Sequence, residues 1–539
     1  MLLQQQTLET GIDIEFDQQS FASWQQRLTR NGPWDDWQLY QLARQAEQAM
    51  QVRAFDELQC LPYLTAFQPL SHQVETAKKV ISTLRGRAIL ADEVGLGKTI
   101  EAGLILKEYL VRGLVKKTLI LVPASLVLQW SRELSQKFGI QAIAQRKTYV
   151  WEQYDCVVAS IDTAKRPPHR DIVLSQKYDL VIIDEAHKLK NQKTSNYQFI
   201  SHLQKKFCLL LTATPLQNKL SELYHLVNIL KPGQLGIAQQ FQANYASGKR
   251  ATKNEDHLHD ELLKVMIRNR RADAEVRFTK RHVQTIELKL SADEQRLYDG
   301  VTAFVRERCA TTTNDLGSLF ALVTLQREVC SSRDAVFLTL TNLFKKTAEH
   351  SPQRAKIWEL VELIKQIRAN TKAEKAMQLV KDINDKVIIF TEYRATQEYL
   401  LHFFKQQKMT AVAYRGGMNR GKKDWMMDLF RERAQILIAT EAGGEGINLQ
   451  FCHHLINFDL PWNPMRVEQR IGRIHRLGQQ HDVHIFNFAT VDTIEQHIVQ
   501  LLHDKIKMFE SVIGELDPIL PQTKQQKAEV DLLRSYLKM

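Results

Sequence analysis

Cysteine is scarce and scattered in this chain. Its 539 residues include six, at positions 60, 156, 208, 309, 330 and 452, and none stands in a CxxC pair. That argues against a zinc site or a disulfide framework and for a reducing compartment. Long apolar runs are missing too: none approaches the roughly 18 residues that a membrane span requires. The first 16 residues have neither a basic opening nor a long apolar core. A secretory leader is therefore not expected, and a cytoplasmic location is. No segment recurs at a solenoid period. Acidic residues fall short of basic ones, 61 against 73, and the net charge of +12 favours a polyanionic partner. What remains is an ordinary globular balance, 44% hydrophobic and 25% charged, in a chain long enough for about three domains.

One stretch organises the rest. Asp92, Glu93, Val94, Gly95, Leu96, Gly97, Lys98 and Thr99 follow the apolar run 87–90. After them, residues 99–110 space their apolar side chains as a helix does. Strand, glycine-rich turn and helix is the setting of a phosphate cradle. The glycines let the backbone curl so that successive N–H groups face phosphate oxygens. The helix N-terminus behind them adds partial positive charge. Lys98 supplies a mobile cation for the outer phosphates, and the Thr99 hydroxyl suits Mg2+. The general form GxxxxGK[ST] would put glycine at 92, where this chain has Asp92.

Asp184, Glu185, Ala186 and His187 follow the apolar run 180–183. An acidic pair at a strand's carboxyl end is what magnesium-dependent nucleotide hydrolysis needs. Asp184 is suited to hold the metal. Glu185 is placed to orient and deprotonate a water. His187 can pass the nucleotide state to neighbouring segments. Thr212 and Thr214 flank a small residue after the next run and can hydrogen-bond toward the acidic pair. Arg473 and Arg476 lie far along the chain, three apart, and share one face of a helical turn. Guanidinium groups match phosphate oxygens in a fixed fork, so the two read as arginine fingers supplied from a second lobe.

The chain divides by pattern. Residues 1–60 read as an N-terminal helical extension. Its Trp24, Trp34 and Trp37 could stack on nucleic acid; helices docked over the first domain are the expected reading. Residues 61–245 alternate apolar runs with helical stretches, the pattern of a parallel α/β sheet. Residues 246–350 read as a helical protrusion on that first lobe. It contains the basic segment 268–282, open to DNA contact or to a solvated face. Residues 351–515 return to α/β alternation, and their last helix, 493–513, is expected to reach back across the interface. Residues 516–539 form a charged tail.

With these motifs in this order, the chain resembles superfamily two helicase-type ATPases of the Swi/Snf class. Residues 91–103 resemble that family's first motif, 120–130 (ILVPASLVLQW) the second block, 184–191 (DEAHKLKN) the acidic box and 211–218 (LTATPLQN) the third. Residues 387–393, 440–450, 459–464 and 469–479 match the motifs of the second lobe. The DEVGLGKTIEAG form is nearest to the bacterial branch, which includes RapA-like RNA-polymerase-recycling proteins and ATP-dependent helicases. The resemblance implies an α/β fold of two RecA-like parallel-sheet lobes with a helical insertion, using ATP and Mg2+. It implies that Gln73 reads adenine and that Gln469 belongs to the nucleotide site. It implies that Gly446 and Asn448 couple DNA to nucleotide. Gln129, Trp130, Thr391, Arg415, Gly416, Trp462 and Asn463 fall in motifs that track the DNA backbone, though packing is the expected role of Trp130.

There are departures. Phe278-Thr279 stands where the family carries Leu-Pro, and residues 404–434 leave no room for the large insertion of eukaryotic remodellers. The expected activity is a duplex-DNA-stimulated ATPase that translocates as a monomer and displaces bound proteins, RNA polymerase among the candidates. The rivals are a strand-separating helicase, a polymerase-recycling factor and a non-catalytic nucleic-acid-binding scaffold.

Overall fold

Runs such as 118–122 and 180–183 carry apolar side chains on both faces, so a sheet built from them must be covered on both sides. In the computed structural model these runs are buried parallel strands. The described residues are 18–34, 36–50, 55–216, 219–245, 253–273, 278–311, 316–440, 447–513 and 519–520. They fall into two units, Met1–Phe55 and Asp56–Met539.

The larger unit holds two sheets. The first comprises β1 (Arg87–Leu90), β2 (Thr118–Val122), β3 (Ile143–Ala144), β4 (Cys156–Ser160), β5 (Lys177–Asp184), β6 (Gln204–Leu211) and β7 (Met266–Ile267), in the order β3-β4-β2-β5-β6-β1-β7. The second comprises β8 (Arg281–Leu288), β9 (Val387–Thr391), β10 (Ala411–Tyr414), β11 (Ile436–Thr440), β12 (His454–Asn457) and β13 (Val483–Thr490), in the order β10-β11-β9-β12-β13-β8. Among the described residues every strand pair is parallel, as crossover connections through helices require. Register sets the site. Leu90 pairs with Leu211, and Leu211 with Asp184, so the carboxyl ends of β1, β6 and β5 stand level.

The segment 246–350 differs from the expected protrusion. Residues 266–267 join the first sheet, and 281–288 form the edge of the second. The edge strand hid because its sequence, RHVQTIEL, is half polar, as an edge with one wetted side allows. The helices Ala292–Thr311, Leu316–Ser331, Arg333–Lys346 and Pro352–Gln366 pack around Val301, Val336, Leu340 and Ile357. They are fixed to the second lobe, not the first: that cluster includes Ile494 and borders Trp462. Arg327 Nη2 donates to Glu392 Oε2 and the Leu460 carbonyl, both at 2.8 Å, and Ser331 Oγ donates to Asp459 Oδ2 at 3.0 Å. The helix Ile494–Ile513 does cross between lobes. Its Met508, Phe509, Val512 and Ile513 are buried in the first lobe's core, while Ile498 and Leu502 belong to the second's.

The smaller unit contains the helices Gln18–Arg30 and Trp37–Met50, the first with no buried residue. Trp24, Trp34 and Trp37 are 62%, 52% and 66% exposed. Among the described residues no helix is long and apolar enough to cross a membrane.

Candidate active site between the two lobes

The cradle forms as its sequence requires. Gly95 and Gly97 sit at φ 97° and 96°, a region that L side chains rarely adopt. Gly97 caps the helix Lys98–Val111, which Thr99 helps to open. Lys98 Nζ donates to the Asp92 and Glu93 carbonyls at 2.7 and 3.2 Å, curled over its own loop. Burial pulls this ammonium below the usual lysine range, against the opposing charges of Asp92, Glu101, Glu185 and Asp184. Gln73 lies beneath the loop. Its Nε2 donates to the Leu96 carbonyl at 2.9 Å and its Oε1 accepts from the Leu70 N–H at 3.0 Å.

Asp92 has a reason to be there instead of glycine. It is fully buried and accepts the Asn269 N–H at 2.8 Å and the Asn269 side-chain amide at 3.1 and 3.0 Å. Glu101 lies beside it, held well above the carboxylate range by burial and by the charge of Asp92.

Asp184 ends β5 with both oxygens engaged. Oδ1 accepts the Glu185 N–H at 2.8 Å, and Oδ2 accepts the Trp130 indole N–H at 3.0 Å. Trp130 is buried, as expected of a packing residue, but its indole also aims the carboxylate. Burial, then the charge of Glu185, raises the Asp184 carboxyl. Glu185 is shifted the other way. Burial pushes it up, but His187, Arg473 and Lys98 outweigh that. His187 Nδ1 is 3.1 Å from Glu185 Oε2. Glu185 itself has φ 52°, a left-handed conformation uncommon for a residue with a side chain. Thr212 and Thr214 are buried at the next strand end, joined through the Thr214 N–H and Thr212 Oγ1 at 3.1 Å. Thr99 and Asp184 offer hard oxygen donors of the kind Mg2+ takes, so the residues present fit that ion.

The second lobe meets this loop directly. A Cβ on Gly95 would lie 3.1 Å from Arg476 Cα, and one on Gly472 would lie 2.2 Å from Val94 Cγ1. The structure thus places the two arginines and the cradle on either side of one seam. Burial and the charge of Arg473 lower the Arg476 guanidinium below its usual range. Arg476 Nε donates to the Gly472 carbonyl at 2.6 Å. Gln469 is half-buried on the helix Pro464–Ile471.

Sequence reasoning missed the network that crosses this seam. Arg271 donates to the Val94 carbonyl of the cradle and, at 3.2 Å, to His475 Nδ1 of the second lobe. Arg281 Nε donates to the same nitrogen at 2.8 Å, and its Nη1 and Nη2 donate to Glu468 at 2.7 and 2.8 Å. His475 Nε2 bonds the Thr279 carbonyl at 2.8 Å, which fixes the neutral tautomer with the proton on Nε2. Burial and the two arginines hold His475 down at about 4. The Arg268 side chain is 8% exposed, and Arg271 and Arg281 are buried to 3%. These arginines therefore serve neither of the roles read for the basic segment. Thr279 and Phe278, the departure from the family pattern, are what seat His475: the Phe278 ring lies 6.0 Å from it, edge on. No sequence signal pointed to it: Glu468, the buried acid these arginines need, lies 187 residues beyond Arg281.

The expected nucleic-acid residues separate into two groups. Gln129 and Asn448 are exposed, and Arg415 is 28% exposed beside Glu398 with Gly416 half-buried next to it. Thr391, Trp462 and Asn463 have duties inside the lobe. Thr391 is fully buried and donates to Asp459 Oδ2 at 2.5 Å. The Trp462 ring lies under the Arg327 guanidinium at 5.2 Å, and Asn463 caps the next helix by accepting the Met465 N–H at 3.0 Å. Gly446 lies outside the described residues, as do 217 and 218 of the third motif.

Comparison with known proteins matches both parts of the chain to described domains. Residues 22–335 match the SNF2-related domain, and 371–478 match the helicase conserved C-terminal domain. Over 509 residues the chain is 56% identical to the "Uncharacterized ATP-dependent helicase YqhH" of Bacillus subtilis (strain 168), covering 94% of this chain and 90% of that protein. Among solved structures it is similar in fold to the Hef helicase domain of Pyrococcus furiosus, at TM-score 0.50 and 17% identity, over 80% of this chain and 97% of that one. It also matches the Sulfolobus solfataricus SWI2/SNF2 ATPase core in complex with dsDNA, at TM-score 0.41 and 20% identity, over 86% and 95%.

Proposed function

Because this chain belongs to the SNF2-related helicase family, we propose that it is an ATP-driven translocase on duplex DNA. The observation that carries this reading is the seam itself: Val94 and Gly95 lie against Gly472 and Arg476. Lys98 and the Gly95–Gly97 backbone would hold the triphosphate, with Thr99 and Asp184 holding Mg2+. Such an ion, when bound, offsets phosphate charge. Glu185, kept ionised, would take the proton of the attacking water, and Arg473 and Arg476 would meet charge that develops on the transferred phosphoryl group. Gln73 would face the base, its amide already positioned by Leu96 and Leu70.

Binding and hydrolysis would close and release the seam, and a grip on the phosphate backbone in each lobe would turn that cycle into steps. Gln129, Arg415, Gly416 and Asn448 suit backbone contact. Thr391, Trp462 and Asn463 would act by holding the loops that make it. Displacement of DNA-bound protein, RNA polymerase included, by a cytoplasmic monomer is the wider reading. The test is ATPase activity measured side by side with no nucleic acid, single-stranded DNA, duplex DNA and RNA. Triplex and strand displacement run in parallel. Stimulation by duplex and release of a third strand without duplex opening support translocation. Stimulation by single strands with strand separation would favour the unwinding helicase instead.

A further inference from the structure

Four strands of the second sheet begin at one level. Val387 of β9 pairs with His454 of β12, His454 with His484 of β13, and His484 with His282 of β8. In-register neighbours share a face, so three imidazoles stand in a row across the strand ends. The rings of His454 and His484 are 5.4 Å apart and those of His484 and His282 4.9 Å, each pair within 19° of parallel. Asp482 Oδ2, 3.0 Å from His282 Nε2, closes one end. The other end gathers donors. Asp385 precedes β9 by two residues and His453 precedes β12 by one. The His453 ring lies 4.2 Å from that of His454 and 4.9 Å from that of His481.

Three of these groups converge on a point. One ligand atom each from Asp385, His453 and His454 lies within 4.8 Å of the other two. His453 Nε2 is 3.6 Å from Asp385 Oδ2. Two ligands bound at about 2.0–2.2 Å to one tetrahedral ion stand about 3.3–3.6 Å apart, so this pair needs little adjustment. His454 Nδ1 is buried and has no hydrogen-bond partner. A buried imidazole nitrogen left unpartnered is unfavourable, and a bound cation would supply the missing partner.

We propose that Asp385, His453 and His454 form a binding site for a divalent late first-row transition-metal ion of the Zn2+ class, with solvent completing the shell. Two imidazoles and one carboxylate suit such an ion and not Mg2+, which prefers an all-oxygen shell. The site also adjoins the arginine segment. Gln479, three residues beyond Arg476, donates from Nε2 to the Gln450 and Cys452 carbonyls at 2.9 and 3.2 Å. The cysteine pattern gave no hint of this site, because its donors come from segments 68 residues apart and none is a thiol.

The experiment uses the full chain, stripped with chelator and free of nucleotide. Co2+ alone is titrated and followed by its visible d–d absorption, then displaced with Zn2+, with heats measured by calorimetry. The expected result is one saturable ion per chain, with affinity reduced at least about tenfold in Asp385→Asn and in His454→Gln. Asp385 is exposed, so its variant carries the test even if the half-buried His454 variant fails to fold. No saturable uptake below about 0.1 mM by the parent chain would overturn the proposal, as would unchanged uptake in folded Asp385→Asn.

Discussion

Asp184 and Glu185 are consecutive, yet their surroundings drive their proton affinities apart. Asp184 faces an indole and a backbone amide inside the lobe; Glu185 faces His187 and feels Arg473. On the proposed reading the two carboxylates would divide the labour, Asp184 holding the metal and Glu185, kept ionised, acting as the base. Glu185→Gln keeps the size and removes the base. Turnover should fall by about 10²–10⁴-fold with ATP affinity unchanged, measured by phosphate release and nucleotide titration. A variant that hydrolyses like the parent would remove Glu185 from the mechanism.

A second carboxylate reports on stability. Glu328 is 8% exposed; its Oε1 accepts from Thr339 Oγ1 at 3.0 Å, and its Oε2 has no hydrogen-bond partner. Burial raises it from the ordinary 4.5 to about 7, against the pull of Thr339 and Arg327. A raised folded value means a contribution fully present below the unfolded value and lost as pH climbs through the folded one. Glu328→Gln mimics the protonated acid. Its stability relative to the parent should be near zero at pH 4.5 and grow to about 3 kcal/mol in its favour by pH 8. Denaturant midpoints across that range measure it, and a flat difference would mean that the carboxyl is not protonated in the fold.

At the scale of elements, the seam depends on one missing side chain. Gly472 has φ −62°, ordinary for any residue at a helix end, so alanine there strains no backbone. Its Cβ would nonetheless lie 2.2 Å from Val94 Cγ1 and 2.8 Å from Val94 Cβ. Both distances are far inside contact, and a valine rotamer relieves only the first. Gly472→Ala should therefore hold the cradle and the arginine segment apart. ATPase should fall at least about tenfold with melting unchanged within about 1 kcal/mol, and adding Val94→Ala should restore part of the loss. Failure of that rescue would separate activity from closure. The elements on either side of this seam were legible because they are locally encoded. A short β-branched and leucine-rich run such as 118–122 reads as a covered strand from its own residues, and a glycine pair before lysine reads as a turn. The edge strand β8 and the tether of the insertion to the second lobe were not legible. A half-polar strand is defined by the partner it pairs with, and Arg327 and Ser331 acquire meaning only beside Glu392 and Asp459, 65 and 128 residues away. Arg268, Arg271 and Arg281 were not legible for the same reason: a sequence gives their charge, whereas Glu93 and Glu468, which neutralise it, come from both lobes.

At the scale of the whole molecule, that last point changes what the charge means. The chain carries +12, but Arg268, Arg271 and Arg281 are consumed inside. Their pairing with Glu93, Glu468 and His475 joins the lobes through the core, and removing one partner of such a buried set costs about 3–5 kcal/mol. Among the described residues, the positive charge left for a polyanion includes Arg415 and the lysines at 422 and 423. Such side chains suit phosphate, not base edges. Each phosphate neutralised releases counterions, so the logarithm of affinity should fall linearly with the logarithm of salt, at about 0.9 per contact on duplex. A two-lobed grip of six to ten phosphates would lose about 10³–10⁵-fold in affinity between 50 and 200 mM salt. Fluorescence anisotropy on two duplexes of unrelated sequence, with Glu185→Gln to prevent turnover, measures both slope and selectivity. The two duplexes should give the same steep line. A shallow slope, or a large preference for one sequence, would mean that contacts other than the phosphate backbone hold the nucleic acid, and a motor that steps along any duplex would then be the wrong description of this seam.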